Sequence, residues 1–226
     1  MYHDIYREST GESGFQTIGS LNYKIKFDQF ENHLIKIREL IDLNPELTGD
    51  ILFTFDDGGK SAYTIIAPLL KKYGFTGYFF ITTDMIGKEG FCTENQIKEL
   101  HKEGHIIGSH NHIHRSSTEN CSSKQITDEW NLSSKIIEKI IGIKPACASL
   151  PNGFSDSKIL KAIENVGFRK VFTSTPTTII NNRNGIEFIG RYSISATTSV
   201  ENLKAIVESP FTRKKIEIRA YILSHI

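Results

Sequence analysis

The chain has 226 residues, 38% of them hydrophobic and 10% aromatic, with 27 Lys and Arg balanced against 26 Asp and Glu. That length suits one domain with a sizeable core, here expected to span residues 1–226, and a formal net charge of +1 gives no reason to expect a nucleic acid or an anionic membrane as partner. Cys92, Cys121 and Cys147 are odd in number and lack CxxC spacing, which argues against a disulfide framework and against a thiolate zinc site.

The opening "MYHDIYREST" has no apolar centre of the signal-peptide kind, and no run reaches the roughly 18–20 apolar residues that span a bilayer. A soluble, cytoplasmic protein is the expectation. The first 24 residues read as irregular. In residues 27–41, Phe27, Phe30, Leu34, Ile37 and Leu40 recur at helical spacing. "ILFTF" (51–55) is of strand type, and Ile65, Leu69, Leu70 and Tyr73 share the face of a helix that Gly74 ends. "GYFFIT" (77–82) is a strand, and 93–104 a helix with Thr93 as N-cap and Gly104 past its end. Then come a strand at 105–110, a helix at 124–142, a strand and turn in "ACASLPNG" (146–153), a helix at 156–168, a strand at 170–174 and a helix at 199–210. Strands alternating with such helices indicate an α/β fold with a mainly parallel sheet. Chemistry in such folds sits on the loops after the strands.

Three polar clusters fall there: Asp56-Asp57 after "ILFTF", "SHNHIH" after "HIIG", and "PNG" after "ACASL". His110 and His114, at i and i+4, would share one face of a helical turn and suit a single metal ion; His112 would point elsewhere. Two adjacent carboxylates repel, and a divalent cation relieves that by taking one as ligand and leaving the other as a base. Both can face one site only if the strand bends, and Gly58-Gly59 permits a bend. Two histidines and one carboxylate leave coordination positions open, as catalytic sites do. Metal-assisted hydrolysis and iron(II) oxygen chemistry both use such a set. The alternation of strands and helices and the spare carboxylate favour hydrolysis.

These residues resemble the polysaccharide deacetylase family and its nodulation-protein-B homology domain. "TFDDG" (54–58) is similar to its first motif, "HNHIH" (110–114) to its His-Ser/Thr-x-x-His motif with Asn111 in place of the hydroxyl residue, and "ASLPNG" (148–153) to its third. "YHDI" (2–5) and "FDQFENHL" (27–34) resemble segments that precede the first motif in many bacterial members. The resemblance implies a distorted (β/α) barrel of about seven strands that removes an N-acetyl, or less often O-acetyl, group from a sugar or oligosaccharide. It implies that Asp57, His110 and His114 bind a divalent ion, zinc by usual assumption with cobalt, nickel or iron also used, and that Asp56 deprotonates its water. The backbone N–H of Asn152 would help hold the oxyanion.

The chain departs from the family pattern in two further places. Many members carry an arginine two residues before the motif-three proline, where this chain has Ser149; Arg191 in "FIGRYSI" is the candidate to supply that charge beside Asp56. No Asp-x-Trp motif follows the third: the one such string, Asp128-Glu129-Trp130, lies before it in the expected helix at 124–142, and Trp130 reads as packing. Leu223-Ser224-His225 matches the family's Leu-x-His, making His225 a candidate for the acid that protonates the leaving amine, with His3 as the alternative bordering the site. The competing readings are a hydrolase of a small amide or cyclic imide and a non-catalytic carbohydrate-binding relative. Nothing in the chain fixes an oligomeric state.

Overall fold

Each strand-type run pairs in parallel with the next, and the amphipathic runs between them cross over as helices. The computed structural model describes residues 1–115, 118–153 and 156–223. Its main sheet has seven strands: β3 (Phe53–Phe55), β4 (Gly77–Ile81), β5 (Ile106–Ser109), β6 (Cys147–Ser149), β7 (Lys170–Phe172), β8 (Ile180–Arg183) and β9 (Ile186–Ile189). Their order is β3-β4-β5-β6-β7-β9-β8, parallel throughout except for the β8–β9 hairpin. That hairpin turns through Asn184 and Gly185, at φ 53° and 80°, the left-handed pair that a two-residue turn between twisted strands requires. A separate parallel pair, β1 (Ile5–Tyr6) and β2 (Ile25–Lys26), with the short helix α1 (Ile18–Leu21), stands where the composition of the first residues suggests an irregular segment.

The helices are α2 (Phe27–Leu43), α3 (Ala67–Lys72), α4 (Glu94–Lys102), α5 (Ser123–Ile141), α6 (Ser157–Val166), α7 (Val200–Glu208) and α8 (Pro210–Leu223). Capping boxes start two of them, Thr93 with Gln96 at α4 and Ser122 with Gln125 at α5. Left-handed glycines end α5 at Gly142 and α6 at Gly167. α2 buries Phe30, Leu34 and Ile37 in the large core that holds Phe53, Phe55 and Phe79. Trp130 of α5 is buried with its ring edge-on to Phe168 at 5.8 Å, so it packs as expected.

The sheet curls into a distorted (β/α) barrel, and the first residues lie along its open edge. Tyr2 N–H donates to the Thr54 carbonyl at 2.8 Å, Asp56 N–H donates to the Tyr2 carbonyl at 3.1 Å, and Ile194 N–H donates to the Met1 carbonyl at 2.9 Å. Residues 1 and 2 therefore stand between β3 and residues 192–194, with Tyr2 opposite Phe55 in parallel register. No described helix is long and apolar enough to cross a membrane.

Candidate metal centre

β3 ends at Phe55, and the chain leaves it through two left-handed residues, Asp57 at φ 77° and Gly58 at φ 81°. The bend thus begins one residue earlier than the Gly58-Gly59 pair suggested. It turns both carboxylates into the barrel mouth, where each residue is no more than 5% exposed. Gly59 is missing its side chain for another reason: a Cβ there would lie 2.0 Å from Asp4 Oδ1.

The residues after β5 form an irregular loop, not the helical turn expected for His110 and His114. Asn111 sits at φ 66°, and its side-chain oxygen accepts the His112 N–H at 2.7 Å. This tight turn still brings both imidazoles to one side. One donor atom each from Asp57, His110 and His114 lies within 4.8 Å of the others, with His110 Nε2 at 3.3 Å and His114 Nε2 at 3.7 Å from Asp57 Oδ1. His112 faces away, its Nδ1 3.0 Å from the Thr83 hydroxyl.

The donor set fits a cation. A carbonyl only accepts, so the 2.9 Å contact of His110 Nδ1 with the Ser149 carbonyl puts the proton on Nδ1. In the neutral imidazole, Nε2 then presents a lone pair toward Asp57 Oδ1, a buried oxygen with no hydrogen-bond partner among the described residues. Acceptors facing one another in a dry pocket repel, and a positive ion between them removes the conflict. Burial alone would lower the His110 pKa, but Asp56 and Asp57 outweigh it and raise the value, another sign that two carboxylates here call for positive charge. His114 is pulled down by burial and by His110, which keeps its ring neutral and its lone pair free. Phe15, which no periodicity in the sequence singles out, packs against His114 with ring centroids 5.2 Å apart.

Asp56 has different company. Arg191, just beyond β9, grips it with both ends of the guanidinium, Nη1 to Oδ1 at 2.7 Å and Nη2 to Oδ2 at 2.8 Å. Ser149 Oγ donates to Asp56 Oδ2 at 3.0 Å and contacts Arg191 Nη2 at 2.7 Å, so the serine at the motif-three position completes the same cluster. Burial would raise the Asp56 pKa, yet the Arg191 charge, helped by His110, holds the carboxyl well below the usual carboxylate range. Asn152, at φ 55° in the turn after β6, uses its side-chain amide to donate to the Arg115 carbonyl at 2.9 Å. His225 lies outside the described residues.

His3 enters through the barrel's closing edge. With Tyr2 opposite Phe55, the next step of the parallel register sets His3 beside Asp56. The Tyr2 and Phe55 rings stack at 5.7 Å on one face, so by alternation His3 and Asp56 share the other. The imidazole lies close enough to favour ionisation of both aspartates, rests on Tyr23 with centroids 4.8 Å apart, and buries an Nδ1 that has no hydrogen-bond partner among the described residues.

The family model for polysaccharide deacetylase matches residues 44–171, more than half of the chain. The chain belongs to the polysaccharide deacetylase family. YxkH of Bacillus subtilis is 30% identical over 159 residues, covering 70% of this chain and 56% of that protein. The peptidoglycan-N-acetylmuramic acid deacetylase PdaA of the same organism is 30% identical over 166 residues, covering 70% of this chain and 59% of that one. The match thus spans less than two thirds of either relative. Among solved structures, the Streptococcus pyogenes deacetylase PplD shares the fold with a TM-score of 0.75 at 23% identity, over 92% of this chain and 96% of that one. As the names state, PdaA and PplD are deacetylases, and deacetylases are hydrolases. The deacetylase family's matched segment holds Asp56, Asp57, His110, His114 and Asn152; His3 and Arg191 lie outside it and reach the site through the barrel.

Proposed function

We propose that this chain hydrolyses an acetyl group from the nitrogen of an acetylated amino sugar in a polysaccharide or oligosaccharide, using a divalent ion, zinc, at Asp57, His110 and His114. The observation that carries the reading is the unpartnered Asp57 oxygen facing two imidazoles, next to a second carboxylate that an arginine holds ionised. Family membership and a relative named for removing acetyl from a peptidoglycan sugar support the substrate class. A zinc ion bound there would polarise the acetyl carbonyl and lower the pKa of a water.

The protein's own groups do the rest. Asp56, oriented by Arg191 and Ser149, accepts a proton from the attacking water as its oxygen adds to the carbonyl carbon. The Asn152 backbone N–H is the donor assigned to the oxyanion, an interaction worth about 3–4 kcal/mol in comparable sites. The carbon–nitrogen bond then breaks, and the amine leaves with a proton from His3, whose register beside Asp56 supports that role. The products are acetate and a free amino sugar.

Replacing each aspartate separates their roles. Asp57→Ala is expected to lose bound zinc after dialysis, measured by elemental analysis. Asp56→Asn is expected to keep zinc and lose acetate release by about 10²–10⁴-fold. Equal zinc loss in the two variants would contradict the assignment.

A further inference from the structure

Next to His3 lies a buried carboxylate that the reaction does not use. Asp4 is 3% exposed, and its Oδ1 accepts the Ser13 hydroxyl at 2.5 Å and the Ser61 hydroxyl at 2.9 Å. Ser13 Oγ accepts the Ser61 N–H at 2.8 Å, and Ser61 Oγ accepts the Ile5 N–H at 3.1 Å. Lys24, 2% exposed, offsets part of the cost of burying that charge and donates to the carbonyls of Thr10, at 2.7 Å, and of Ser13. Two glycines make the space: a Cβ on Gly14 would lie 1.8 Å from Asp4 Oδ2, and one on Gly59 2.0 Å from Oδ1.

A buried carboxylate is costly, and apolar residues would fill the same volume at lower cost. What Asp4 gains for the molecule is a junction of three segments that surround the site. It follows His3 directly. Ser61 follows the Asp57-Gly58 bend by a few residues, and Ser13 precedes Phe15, which packs on His114. The Asp4 carbonyl also accepts the Ile25 N–H at 2.9 Å, which ties the same residue to β2.

We propose that Asp4 is a positioning residue: clamped by Ser13 and Ser61, it fixes the His3 backbone in register with Asp56 so that the imidazole stands at the carboxylate pair. This rests on the reading of His3 and Asp56 given above, and it acts through His3 alone. Small misplacements of a reacting group cost about 10²-fold in rate.

The test uses the zinc-loaded full chain and a double-mutant cycle. Asp4→Ala is expected to lower kcat by about 100-fold, with KM and bound zinc unchanged. In Asp4→Asn, the amide oxygen can accept both hydroxyls, so kcat stays within about threefold of the parent. On a His3→Ala background, adding Asp4→Ala costs less than about twofold. Should Asp4→Ala not fold, Ser61→Ala removes one of the two hydroxyls and is expected to show the same pattern at about tenfold. Equal losses in both backgrounds, a loss in Asp4→Asn as large as in Asp4→Ala, or loss of zinc would overturn the proposal.

Hydrogen exchange gives a readout independent of turnover. The Tyr2, Ile5, Ile25 and Asp56 amides should exchange at least about tenfold faster in Asp4→Ala, with α6 unchanged. If the parent protein releases no acetate, the functional reading fails and exchange alone decides: unchanged protection of those amides overturns the positioning role.

Discussion

Asp56 keeps its charge in a pocket almost without water because Arg191 meets both of its oxygens, and the two side chains are only 3% and 4% exposed. Breaking a buried pair from one side leaves an uncompensated charge and costs about 3–5 kcal/mol. Arg191→Ala is therefore expected to lose about that much stability in urea titration and to depress acetate release strongly. Unchanged turnover in that variant would remove Arg191 from the account. The pH dependence has a definite sign. The folded Asp56 pKa is lower than the unfolded one, so its contribution is complete above about pH 4. It is lost as pH falls through the folded value.

The elements that carry chemistry were the most legible in the sequence, because strand ends in a parallel sheet share one side and "TFDDG", "HNHIH" and "PNG" each follow a strand. The details of the turns were not. Spacing alone suggested a helical turn for His110 and His114, whereas a left-handed Asn111 and its side-chain contact with the next amide produce a tighter loop with the same outcome. The β8–β9 hairpin was missed although Asn184-Gly185 is a hairpin signal, since β8 is polar and exposed and shows no alternation. Helix α8 went unread because it buries no residue and has no apolar face to detect. His3 and Arg191 come to Asp56 from far along the chain, and only barrel closure shows how. Trp130 on α5 was legible as packing, and its removal should cost about 3–5 kcal/mol. Trp130→Ala should still bind zinc one-to-one once folded, as the ring packs edge-on against Phe168 in the core. A zinc deficit in the folded variant would place Trp130 in the site's support.

At the scale of the molecule, the barrel buries reactive groups as effectively as apolar ones. Burial pushes the Cys92 and Cys147 thiols up to about 12, while Cys121 is half-buried against the apolar cluster that holds Trp130 and Phe168. Thiolate is the reactive form, so titration of the native protein at pH 8 with a disulfide reagent should detect Cys121 alone, and all three cysteines after denaturation. Rapid reaction of more than one thiol in the native state would contradict the closed core. The same closure brings residues 1–3, β3, β5, β6 and the segment after β9 to one mouth, where the acid, base and metal-ligand candidates meet. The most direct measurement of the central claim is acetate release from N-acetylated chito-oligosaccharides and peptidoglycan glycan fragments by the parent protein, before and after chelation and again after zinc is restored. The account predicts release that stops on chelation and returns with zinc; zinc bound without acetate release from any of these substrates would contradict it.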